Sequence, residues 1–249
     1  MADVMDDAQV RRIGRATVVG AVLGPVLAPL HAMARHATAD GREDLEAPLT
    51  RAWSEPVSEA LRPLLDWADP DTVYVTYGKG WLFVFGLAAL CAFVTRRQRS
   101  PYGVERWGWR ITLTAYAVMT LGAALCYWTP WWMDTAFLVL AVPGLLLTVV
   151  GSTTLGFALL KRRFEPRATA WLLVLTLPLL LALGQVVSFG GALMPGVVAW
   201  ALVGRRMAAG TGAPRPRPSS VDHGWRPERG AARVHWRDGG VRGRTDGSL

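Results

Sequence analysis

Apolar positions in this chain come in long unbroken blocks, not in the alternating or every-third-residue patterns of a soluble fold. Several blocks run for 17 or more residues without Asp, Glu, Lys or Arg. At ~1.5 Å per helical residue, such a block crosses a hydrocarbon core of roughly 30 Å. The pattern predicts an all-α integral membrane protein with six transmembrane helices arranged as three helical hairpins. The spans fall near residues 16–34, 76–94, 111–128, 135–160, 168–187 and 189–204. The last two come from one apolar run, 168–204, which as a single helix would be about 55 Å long, so a break is placed at Gln185, Ser188, Gly190 and Gly191. The sixth span is short, and a re-entrant segment fits it almost as well.

Charge placement orients these spans, because basic residues collect on cytoplasmic loops. Arg11, Arg12 and Arg15 lie in the N-terminal segment 1–15. Arg96, Arg97, Arg99, Arg106 and Arg110 follow the second span, and Lys161, Arg162, Arg163 and Arg167 follow the fourth. The turns 129–134 and 188–191 contain no Lys or Arg, and the long loop 35–75 has nine acidic residues against four Arg. Alternate segments therefore agree on an N-in/C-in arrangement in a bacterial plasma membrane. A cleavable signal peptide ending at "AMA", 32–34, is the competing reading of the first span. Asp3, Asp6 and Asp7 argue against it.

Within the spans, small residues and prolines mark the places where backbones can approach or bend. Ala16, Gly20, Gly24, Ala28 and Ala32 recur every four residues and lay a small-residue stripe along the first helix. Such a stripe suits packing inside the protein, a homo-oligomer or a membrane partner. Pro25 and Pro29 are expected to kink that helix. Pro143 and Gly144 predict a break in the fourth span; with Ser152, Thr153 and Gln185 they outline a possible substrate path. In the loop 35–75, Val57, Leu61, Leu64 and Leu65 offer an apolar face, but Pro63 favours two short turns over one helix. The cluster Trp128, Trp131 and Trp132, with Trp81 on the same side and Trp107 and Trp109 on the other, is read as interfacial anchors.

Composition adds little about activity. Basic residues are 25 Arg against two Lys, and the abundance of Ala, Gly and Pro suggests a high-GC bacterial genome. The net charge of +8 would point to nucleic acid in a soluble protein, but no nucleic-acid motif accompanies it. The tail 205–249, with ten Arg and four acidic residues, is expected to be disordered, cytoplasmic and attracted to anionic lipid. Apart from Lys79 and Asp134 near outer boundaries, the spans are read as free of ionisable groups. That disfavours proton-driven transport and an intramembrane enzyme. No metal or cofactor is implied: His31 and His36 do not stack on one helical face, and Asp66, Asp69 and Asp71 lack a calcium-loop pattern. The chain is expected to be a non-enzymatic accessory, scaffold or regulatory membrane subunit. The alternative is a permease or efflux component for a neutral or apolar molecule.

Overall fold

The computed structural model describes residues 5–184 and 189–210. Gln185 and Ser188, and the tail beyond residue 210, lie outside the described residues. Every regular element among the described residues is helical. The order is α1 (Asp7–Ala37), α2 (Pro48–Leu65), α3 (Pro70–Gly78), α4 (Gly80–Arg97), α5 (Gly103–Trp128), α6 (Met133–Ala136), α7 (Val142–Lys161), α8 (Arg167–Val174), α9 (Thr176–Gly184), α10 (Phe189–Ala192) and α11 (Met194–Ala208). A 3-10 segment, Asp40–Glu46, joins α1 to α2, and a π-helical turn, Phe137–Ala141, joins α6 to α7.

Local chemistry sets these boundaries. Asp6 caps α1 by accepting from the Ala8 amide at 3.2 Å, and Asp69 caps α3 by accepting from the Thr72 amide at 3.0 Å. Pro48 and Pro70 open α2 and α3, where a missing N–H costs nothing. Gly210, at φ +71°, follows α11 in the left-handed conformation that closes many helices.

Four helical segments among the described residues are long and apolar enough to cross a membrane: Asp7–Ala37, Pro70–Arg97, Gly103–Trp128 and Pro130–Lys161. The pair Arg167–Val174 and Thr176–Gly184 passes the same test together, bent by 63°, and brings the number to five. Val22 at 65% exposure, Phe83 at 61% and Leu146 at 62% face outward from these helices. In water such apolar surface would be a liability, and together these features suggest a membrane protein.

The helices form a bundle with two distinct ends. The start of α1 meets the end of α11: a methyl group on Gly14 would collide with the Gly204 carbonyl and the Ala208 amide. Farther along, Gly24 lies against Met194 at the start of α11, so the two helices run antiparallel in close contact. Gly20, Gly24, Ala28 and Ala32 are buried and Ala16 is half-buried; Gly20 faces Val84 and Leu87 of α4. At one end, Trp128, Trp131 and Trp132 are exposed at 53%, 81% and 55%. Arg99, Glu105 and Arg162 gather at the other.

Several expectations need correction. Helix α2 runs unbroken through Pro56 and Pro63. It lies largely exposed, so carbonyls freed by the prolines can be met by solvent. The break expected at Pro143 falls one turn earlier, in the π-helical turn, where widening the helix relieves the clash between a proline ring and the preceding turn. The fifth apolar segment bends at Leu175, where no break was expected. Trp81 and Trp109 are not interfacial: they are 1% and 0% exposed, packed inside the bundle.

Candidate functional site

The bundle is hollow at the tryptophan end and solid at the arginine end. A cavity of about 680 Å³ opens among α1, α3, α4, α5 and α7, with its mouth at the 3-10 segment and α6. Its chamber is built around His31, which lies within the last two turns of α1. The His31 ring stacks on Tyr74 of α3 at 4.7 Å and 29°. It meets Tyr127 of α5 edge-on at 5.3 Å and Trp81 of α4 at 6.0 Å. Phe85, one turn beyond Trp81, stacks on the indole at 5.4 Å. The Tyr74 and Tyr127 hydroxyls are 3.5 Å apart.

Glycines make this assembly possible. Any side chain on Gly78 would enter the Tyr127 ring, and one on Gly190 would enter the Trp81 indole. The two rings can therefore lie flat against backbone, which holds them in fixed orientations. Around the mouth stand Asp40, Glu43, Asp44 and Asp134, with Arg35 and His36. Arg35 is tied to Asp44 by a 2.7 Å ion pair, so the mouth keeps an acidic balance.

A second pocket of about 40 Å³ lies below and shares Phe85, Met119 and Ala192 with the first. Its polar groups are joined: the Trp200 indole N–H donates to Tyr116 Oη at 2.9 Å, and that hydroxyl lies 3.3 Å from Ser152 Oγ. Beneath it the interior is closed by Trp109, Leu155, Val203 and the rest of the Trp200 ring, all at 0% exposure.

The arginine end is sealed by an ion cluster. Glu105, on the first turn of α5, accepts from Arg99 Nε at 2.9 Å and from the Trp109 indole at 3.1 Å; Arg162 Nη1 stands 2.8 Å from its other oxygen. The Arg99 guanidinium lies 5.1 Å from the Phe164 ring centre and that of Arg162 3.5 Å from the Tyr102 centre. Glu105, 2% exposed, precedes the expected span 111–128, so this buried carboxylate lies at the start of α5 and outside the stretch expected to cross the membrane. Two guanidiniums and an indole N–H satisfy its charge there.

Of the residues expected along a substrate path, Ser152 lines the deep pocket. Gly144 is buried against Met119, Pro143 is exposed on the outer face of α7, and Thr153 lines neither cavity; Gln185 lies outside the described residues. Lys79 lies 5.5 Å from the Trp128 ring centre, a cation–π contact at the bundle end. Cys91 and Cys126 are buried free thiols.

The sequence reading missed His31, Tyr74, Tyr127, Tyr116 and Trp200 as a connected set. One signal was present: His31 is three residues after Ala28 and seven after Gly24, so it continues the small-residue stripe onto the buried face. Glu105 and Trp109 likewise share one face at i, i+4 spacing.

No protein-family model, curated protein or solved structure matches this chain.

Proposed function

We propose that the chain is a six-span protein of the bacterial plasma membrane that admits a small neutral or apolar molecule from the outer side, as a permease or its binding component. The one-sided hollow carries this reading: about 680 Å³ of aromatic-walled space at the tryptophan end leads toward the Tyr116–Ser152–Trp200 group and stops at a dry, closed layer. Ligand cavities in membrane bundles have this size and lining. Bound molecules passing through would require the arginine end to open, and Glu105 links the segments that would have to part there.

The topology in this reading uses α1, α3–α4, α5, α6–α7, α8–α9 and α11 as spans. The sixth, α11, has 15 residues and rises only about 22 Å, but it runs beside α1 from Gly14 to Gly24 and so shares the depth of a full span. The arginine-bearing loops then face the cytoplasm, along with both terminal segments. An accessory or scaffold role gains less support. The small-residue stripe that suggested association is occupied by α4 and α11 of the same chain.

Cysteine labelling in intact cells tests the proposal. In a Cys91→Ala, Cys126→Ala background, Ala123→Cys in the chamber should react with a membrane-impermeant thiol reagent added outside, as should Trp131→Cys at the surface. Leu155→Cys in the closed layer should stay inert. An unreactive Ala123→Cys beside a reactive Trp131→Cys would remove the outward-open cavity and the permease reading with it.

A further inference from the structure

The outward face of the α4–α5 pair carries a groove of about 540 Å³, separate from the hollow at the tryptophan end. Every residue lining it is uncharged. Gly86, Ala89, Ala117 and Ala124 lie between the larger, exposed side chains of Leu90, Phe93 and Leu121. From Leu82 to Phe93 it runs for about 17 Å at ~1.5 Å per residue. That is roughly half of a ~30 Å hydrocarbon core, the depth of one leaflet.

One end of the groove is marked by charge. Gly86 faces Thr120 across the two helices: a methyl group on the glycine would stand 3.6 Å from the threonine methyl. Arg97 is eleven residues beyond Gly86 and Arg110 ten before Thr120, so in these antiparallel helices the two arginines stand level. Both continue the rows that line the groove. Arg97 follows Leu90 and Phe93 on one helix, and Arg110 precedes Leu113 and Ala117 on the other. The Arg97 guanidinium lies 5.1 Å from the ring centre of Phe93, a groove residue, and that of Arg110 lies 5.1 Å from the Trp107 centre. Both arginines are exposed, and neither forms an ion pair among the described residues. Helix α4 contains no carboxylate, and the single one in α5, Glu105, is held by Arg99 and Arg162.

Charge complementarity selects the occupant. A second copy of this chain fits poorly, because two-fold packing in a membrane sets equal depths side by side and would bring four guanidiniums together. A zwitterionic lipid offers a phosphate but carries its own cation beside it. An anionic phospholipid supplies an apolar chain of one leaflet's depth under a net negative headgroup. We propose that this groove binds one anionic phospholipid of the cytoplasmic leaflet. An acyl chain lies along the groove, and Arg97 and Arg110, on helices packed 8–10 Å apart, flank the phosphate. The Phe93 and Trp107 rings steady the two guanidiniums at headgroup depth. The choice of leaflet rests on the topology proposed above; the site itself does not depend on the hollow.

Native mass spectrometry of the full chain released from detergent micelles counts bound lipids directly. Titration with palmitoyl-oleoyl phosphatidylglycerol should show one lipid per chain. It should bind about thirtyfold more tightly than phosphatidylcholine with the same acyl chains, at about fivefold per surface arginine. Arg97→Gln and Arg110→Gln should each lose about fivefold, and together bring the two lipids level. The single variants carry the test if the double one does not fold. Arg11→Gln with Arg12→Gln removes the same charge from another exposed site and should leave the preference intact. Ala117→Leu, at an exposed groove position, should weaken both lipids. Millimolar inorganic phosphate should not displace the lipid. Equal binding of the two lipids would overturn the proposal, as would a preference that survives loss of both arginines, displacement by free phosphate, or lipid-free dimers. A reporter fused after residue 103 separates the two failures. An outer-side signal there would overturn the leaflet alone, whereas a cytoplasmic signal with no lipid preference would overturn the site and leave the topology standing.

Discussion

Replacing Glu105 with alanine removes the one carboxylate that holds Arg99 and Arg162 together at the arginine end of the bundle. The Arg99 side chain is 2% exposed and would stay buried beside the Phe164 ring without its carboxylate. Breaking a buried pair by deleting one partner costs about 3–5 kcal/mol, mainly through the uncompensated charge that remains. Arg162 adds much less. Its side chain is 19% exposed and keeps the Tyr102 ring and carbonyl, so its share resembles an exposed ion pair, about 0.2–1 kcal/mol. Glu105→Ala should therefore lose about 3–5 kcal/mol, and Arg162→Ala no more than about 1 kcal/mol. The double change Glu105→Leu, Arg99→Met should recover most of the loss, because apolar replacement of a buried ion pair is commonly neutral or better. Equilibrium unfolding in mixed dodecyl sulfate and dodecyl maltoside micelles, followed by tryptophan fluorescence, measures all of these. A Glu105→Ala loss under about 1 kcal/mol would refute the reasoning, and so would a double variant as unstable as the single one.

Other consequences are simpler to read. Gly14→Ala should cost more than Gly24→Ala in the same micelle assay, about 1–3 kcal/mol against under about 1, because Gly14 meets backbone of α11 while Gly24 meets only the flexible Met194 thioether. Gly78→Ala should displace the Tyr127 ring and change the rate at which Ala123→Cys is labelled from outside while the chain still folds; an unchanged rate would contradict the chamber geometry. Reporter fusions after residues 103, 131 and 165 should give cytoplasmic, outer and cytoplasmic signals, and a cytoplasmic signal at 131 would overturn the six-span path. The Thr72 hydroxyl and amide hold the Asp69 carboxyl below its ordinary range. Its folded form is thus favoured when ionised, so the α3 cap should persist as pH falls through the range where free aspartates take up protons, and be lost only below it. Hydrogen exchange at the Thr72 amide follows that loss.

Much of the secondary structure was legible because hydrocarbon imposes a simple rule: every buried backbone group must be paired within its own helix. That rule makes long uncharged runs such as 111–128 readable from residue type alone, and α5 covers that run. The same rule says nothing about which residue faces which. Trp81 and Trp109 illustrate the limit, since indoles suit the interface and the interior equally. Neighbours distant in sequence took part in both burials: Gly190 leaves room for the first, and Trp200 packs on the second, whose N–H is met by Glu105 one turn earlier on the same helix.

The candidate site shows the same division. Ser152 was legible as a small polar group in an apolar span, and His31 could have been read from its place on the small-residue face. Their partners could not, because Tyr74 is 43 residues from His31, and Trp200 is 84 from Tyr116. The sequence by itself determined the helical class and the long apolar runs, both of which follow from local composition against a solvent. Only the tertiary structure decided that the tryptophan end is hollow, that the arginine end is sealed by Glu105, and that His31 and Trp81 share a chamber. Those depend on contacts between helices far apart in the chain, which hydropathy does not encode.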